Sequence, residues 1–115
     1  HLFENLVFLE IRKQSLNQGR TPILSFFRDK TGHEVDFISE TGERIRPIEV
    51  KCSQTFRSEY LDGIRWLDRL LGERIEHPLL LYAGQEESRV RDIEVTNAIQ
   101  YFSRPIAADG DGSLD

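Results

Sequence analysis

Cysteine is almost missing from this sequence. The single one, Cys52, leaves no partner for an internal disulfide and excludes any multi-cysteine metal site. Long apolar runs are missing as well. The longest, Leu79–Ala83, falls far short of the roughly 20 residues that span a bilayer, so no membrane partner is expected. The first residues, His1-Leu2-Phe3-Glu4-Asn5, already carry charge and helical spacing and do not read as a signal peptide. A cytoplasmic protein is the expectation. Positive charge is also short: 15 Lys and Arg stand against 20 Asp and Glu, for a formal net charge of −5. That balance argues against a strong, sequence-independent DNA binder, because phosphate binding rests on Lys and Arg. It leaves room for basic residues gathered in one groove.

What is present is ordinary globular composition. The 115 residues, 38% of them hydrophobic, suit one domain with one modest core. Apolar residues at Leu2, Phe3, Leu6, Val7, Leu9 and Ile11 predict a helix over residues 2–13. Asn17–Pro22 reads as a loop. Three strands are predicted next, over 23–28, 33–39 and 44–52, separated by turns at Asp29–Gly32 and Glu40–Glu43. Pro47 removes a ladder donor from the third, which implies an edge, a bulge or an N–H facing out of the sheet. A second helix is predicted over 59–71, with Ser58 as N-cap, Gly72 as the residue after its end and Tyr60, Ile64, Leu67 and Leu71 as its buried stripe. His77–Ala83 reads as an interior strand. Residues 89–102 divide between a strand around Val90, Ile93 and Val95 and a helical turn over 96–101. Residues 107–115 read as a disordered tail. The order α-β-β-β-α-β with a closing element implies an α/β fold, a mixed central β-sheet flanked by helices. The domain is expected over 1–106, as a fragment of a longer chain.

Strand alternation makes a geometric claim about the second and third strands. Val35 and Phe37 should face one way with Ile48 and Val50, and Asp36 the other way with Glu49 and Lys51. A two-residue turn at Thr41-Gly42 makes Glu49 a diagonal neighbour of Asp36, roughly 7–8 Å away. A four-residue loop over Thr41–Arg44 puts the two directly opposite. Either register gathers Asp36, Glu49 and Lys51. Two carboxylates that close repel unless something compensates. Lys51 supplies one positive charge, and a hard divalent cation such as Mg²⁺ would supply two while taking oxygen ligands and waters. The plainer alternative is a solvated face with cross-strand ion pairs.

The strings "FFRDKTGHEVDFI" and "IEVKCS", after a helix reading "HLFENLVFLEI", resemble the C-terminal domain of unknown function of a large family of prokaryotic AAA-type ATPases. That region is similar to PD-(D/E)XK, restriction-endonuclease-like domains. The resemblance covers residues 1–84. It implies Asp36 as the metal-binding Asp, Glu49 as the acidic residue of the (D/E)XK element and Lys51 as its lysine. The acid contributed by the first helix falls best on Glu4 and less well on Glu10. Val35 stands where the literal motif has proline. The resemblance further implies Mg²⁺ or Mn²⁺ held by Asp36 and Glu49, DNA as substrate, and an ATPase domain of the same polypeptide as partner. A homodimer is compatible with it. No Gly-x-x-x-x-Gly-Lys-Ser/Thr motif occurs in this sequence.

The remaining polar residues have simpler readings. Arg28 and Lys30 read as an exposed turn that could also meet phosphate. His33 reads as solvent-facing, and His1 and His77 lack companions at metal-ligand spacing. Cys52 reads as a small packed hydrophobe. Asp62, Arg65, Asp68 and Arg69 read as a solvated helix face with i,i+3 and i,i+4 pairs. Two functions follow: a metal-dependent nuclease, or a nuclease-fold module without catalysis that binds nucleic acid or protein.

Overall fold

Residues 2–17 and 23–104 are described in the computed structural model, apart from the side chains at 23–26 and 41. The expected loop over 18–22, the tail from 107 and His1 lie outside them. Helix α1 spans Leu2–Asn17, longer than its apolar spacing predicts, and strands β1, β2 and β3 span Ile23–Arg28, Glu34–Thr41 and Arg44–Lys51. A 3₁₀ turn at Ser58–Leu61 leads into α2, Asp62–Leu71. Strands β4 (Leu79–Tyr82), β5 (Ser88–Val90) and β6 (Ile93–Asn97) follow, and α3 (Ala98–Phe102) closes the order. The six strands form one mixed sheet in the order β1-β2-β3-β4-β6-β5. β1, β2 and β3 pair antiparallel, while β4 pairs parallel with both β3 and β6.

Each face of the sheet is closed by helix. On one face Val7 of α1 and Ala98 of α3 pack against Ile48, Val50, Leu79 and Leu81. On the other, Ile64 and the 3₁₀ residue Leu61 pack against Leu80, Tyr82, Ile93 and Val95. β4 is buried throughout, as its unbroken apolar run requires. Helix α1 touches the sheet along a narrow line, Phe3, Val7 and Ile11, spaced four residues apart. Leu2, Leu6 and Leu9, expected on the same stripe, are exposed.

Several end-of-element expectations are corrected. Ser58 begins a 3₁₀ turn with no side-chain cap, and Gly72 stays right-handed (φ −41°) as the chain runs on into a second 3₁₀ turn. Cys52 is exposed, because β3 ends one residue before it. Pro47 lies in a central strand. The Ile45 carbonyl accepts from Glu76 on the β4 side, and backbone groups alternate sides along a strand. The missing Pro47 N–H therefore also faces that side, ahead of the first rung, Ile48 with Leu79.

Candidate functional site

The site is built where the β1–β2–β3 meander departs from regular pairing. The β2–β3 register pairs Thr41 with Arg44 and Phe37 with Ile48, so Asp36 comes opposite Glu49, as in the second of the two registers open from the sequence, but across a two-residue turn, Gly42-Glu43, in place of the four-residue loop. The turn that sets it places Gly42 at φ 61°, a conformation glycine adopts without steric cost. On the other edge of β2, Ser25 pairs with Ile38 but Phe27 pairs with Val35. Two residues, Asp36 and Phe37, thus oppose the single residue Phe26. This is a β-bulge, which re-aims side chains. It overturns one expectation: Val35 does not share a face with Phe37, Ile48 and Val50. Val35 packs with Ile38, Ile45 and Leu67 on the α2 side, while Phe37 packs towards α1 with its ring 5.5 Å from that of Phe8.

Beyond Phe37, Asp36 and Glu49 stitch the strands with their side chains. The Asp36 N–H donates to Glu49 Oε1 at 2.8 Å, and the Val50 N–H donates to Asp36 Oδ2 at 2.9 Å. Glu49 is only 5% exposed. Burial first, and the neighbouring Asp36 charge second, push its carboxyl up to about 8. Burial also raises Asp36, against the opposing hydrogen bonds from Val50 and from the Glu49 carboxyl. At neutral pH Glu49 therefore keeps its proton, in a side-chain hydrogen bond with Asp36.

Lys51 lies two residues beyond Glu49 and lowers both carboxyls through its charge. Its Nζ stands 5.4 Å from the centre of the Tyr60 ring. Glu49 and Lys51 open onto a cavity of about 610 Å³ whose lining includes His33, Glu34, Arg65 and Arg69. Gly63 of α2 also lines it. A Cβ there would fall 2.0 Å from the Glu34 carbonyl oxygen, so only glycine lets α2 come this close to β2. From the opposite face, the charge of Glu4 on α1 reaches Asp36 and raises its carboxyl. Glu10 does not join the group: it stands 4.0 Å from Lys13, beside an apolar groove with α3. Among the described residues, no cluster of three or more His, Cys, Asp or Glu is arranged to hold a metal ion.

The surroundings contain features the sequence reading missed. His33 is not simply solvent-facing: its ring stacks on Trp66 at 4.7 Å and 3°, and its Nδ1 lies 2.8 Å from Thr31 Oγ1 and 3.2 Å from Asp29 Oδ2. The short polar run Asp29–His33 was the available signal, since Asp readily bonds the backbone of its own turn. Arg28 pairs with Glu34 at 3.3 Å. The pairs expected along α2 do not form: among the described residues Arg65 and Arg69 make neither an ion pair nor a hydrogen bond. Across the sheet, Arg46 donates to the His77 carbonyl and the Tyr101 hydroxyl.

Fold and site together define an α/β domain with a mixed six-stranded sheet and an acid pair, one member buried and the other half-buried, beside a lysine at its centre. The chain belongs to the family catalogued as a domain of unknown function, DUF4143, matching it over residues 1–101. Among the curated proteins nothing matches the chain. No helix among the described residues is long and apolar enough to cross a membrane.

Proposed function

We propose that this domain is a PD-(D/E)XK-like nuclease module that hydrolyses DNA phosphodiesters with Mg²⁺ or Mn²⁺, as the C-terminal part of an AAA-type ATPase chain. One observation carries the reading: a buried carboxyl, Glu49, and a half-buried one, Asp36, meet at a bulge beside Lys51 and next to an open polar cavity. The element order supports it. Helix α1, an antiparallel meander over β1–β3, then a helix, then a parallel β4, follow the order α-β-β-β-α-β expected of such a core.

The donor chemistry fits a hard divalent cation. Two carboxyls, Glu49 kept protonated by burial and by the neighbouring Asp36 charge, offer oxygen ligands, and each uses one oxygen on a backbone N–H. Asp36 and Glu49 would hold the ion, with waters in its remaining positions. The bound ion would supply an acidified water and neutralise charge on the phosphate. Glu49 gives up its proton on binding, so affinity rises with pH. Lys51 orients the water or stabilises charge developing on the phosphate. Glu4 acts through Asp36 as a positioning residue.

A second reading, a module without catalysis, draws on the absence of a third ligand among the described residues. The test is cleavage by the full-length protein with Mn²⁺ on linear, branched and single-stranded DNA, wild type against Lys51→Ala. The expected loss is about 100-fold or more. Equal residual activity on every substrate would hand the domain to the second reading.

A further inference from the structure

Beside the acid pair, the same cavity gathers positive groups that the proposed chemistry does not use. Arg65 and Arg69 are four residues apart and so stand on one face of α2. Both line the cavity, and neither has a polar partner among the described residues. His33 faces them from the start of β2. The Thr31 hydroxyl lies 2.9 Å from each Asp29 oxygen and donates there, so its lone pair is left for the His33 ring. His33 Nδ1 therefore carries a proton, directed to Thr31 and Asp29. The His33 N–H also donates to Asp29, and Trp66 covers one ring face. The ring is fixed, yet its side chain stays 39% exposed, and Nε2 has no protein partner among the described residues. A carboxylate on one nitrogen with the other left open is also the arrangement of a metal-binding histidine. Here the two guanidinium groups beside it, unpaired among the described residues, make an anion the natural partner of the site.

We infer that His33, Arg65 and Arg69 anchor a backbone phosphate of a nucleic acid next to the carboxyl pair. The inference deepens the nuclease reading by naming where the strand is held, and it holds equally for a module that binds without cutting. Guanidinium forks match phosphate oxygens in geometry as well as charge. Of the acids around the cavity, Glu34 is engaged by Arg28, while Glu59 and Asp62 remain on the lining and oppose an anion. Binding is therefore local to the His33–Arg65–Arg69 end, consistent with a chain of net charge −5. Because Nδ1 already donates to Asp29, Nε2 donates to phosphate only when the imidazole is charged. The other groups facing this cavity from packed elements are Glu49 and Lys51 on β3 and Glu59 before α2.

The test is fluorescence anisotropy of a labelled short single-stranded deoxyoligonucleotide on the full chain, in EDTA so that nothing is cut. Arg65→Ala/Arg69→Ala should weaken binding about tenfold or more. It should also flatten the dependence of log affinity on log salt by about 1.4, for two contacts at about 0.7 each. His33→Gln, which removes the ring donor, should weaken binding about threefold or more. The inference is overturned if wild type fails to bind at low salt, or if the double arginine variant keeps the wild-type affinity and salt slope. It is overturned for His33 if His33→Gln keeps the wild-type affinity. Intact binding without Mn²⁺-dependent cleavage counts against the nuclease reading alone.

Discussion

Replacing Glu49 by Gln probes the acid pair without disturbing its shape. Glutamine keeps an oxygen for the Asp36 N–H and an NH₂ that donates to the Asp36 carboxylate, as the protonated acid does. Folding raises the Glu49 carboxyl from 4.5 to about 8. Between those limits the unfolded chain has lost the proton and the native chain keeps it. Native stability therefore falls as pH rises, being fully present below about 4.5 and lost through about 8. At about 1.4 kcal/mol per tenfold change in proton affinity, the ceiling is about 5 kcal/mol. Local rearrangement and water reaching the cavity side reduce the expected loss to about 2–3 kcal/mol. Asp36 is raised as well and adds to the slope at its acid end. Urea unfolding from about pH 5 to about pH 9 should show wild type losing that amount relative to Glu49→Gln. Parallel stability curves for the two proteins would refute the retained-proton account. They would show that the carboxyls ionise as freely in the native chain as in the unfolded one.

Mn²⁺ at about 100 times its dissociation constant should raise wild-type stability by about 2.7 kcal/mol, by mass action on the native state. Asp36→Asn should abolish that increment, and calorimetry showing no heat with wild type would count against a metal site. Gly63→Ala sets a helix-propensity gain of about 1 kcal/mol against a Cβ placed 2.0 Å from the Glu34 carbonyl oxygen. The clash should win, giving a net loss of about 1–3 kcal/mol and a lowered midpoint in thermal melts. A raised midpoint would mean that α2 is not held this close to β2.

The grouping of Asp36, Glu49 and Lys51 was readable in either of the two registers left open, because a period of two ties side-chain face to sequence position. Alternation also predicted Val35 on the face of Phe37, and there it failed. A bulge adds one residue to one strand of a pair, and its signature lies in the partner: only the β1 register, Ser25 with Ile38 and Phe27 with Val35, reveals it. No property of Val35, Asp36 or Phe37 taken alone marks the position. The failure falls at the acid pair, which is where departures from local rules concentrate. Cys52 was misread for a related reason. Alternation continues on paper past Lys51, whereas the strand stops there, and where a strand stops depends on its neighbours.

The charges of α2 were legible as a pattern but not in their partners. Spacing alone predicts Asp–Arg pairs along the helix, each worth a few tenths of a kcal/mol. So small a term cannot hold a long side chain against its own rotamer entropy, and Arg65 and Arg69 stay unpaired over the cavity. His33 is the reverse case. Nothing in its spacing suggested a role, yet the Asp29 turn and the Trp66 ring fix it by contacts from two different elements. Gly63 links the two. Without a Cβ, α2 descends onto the Glu34 carbonyl, and that descent brings Trp66 under His33 and sets Arg65 and Arg69 beside Glu49 and Lys51. A glycine costs the helix propensity, yet it is what closes the helix onto the site.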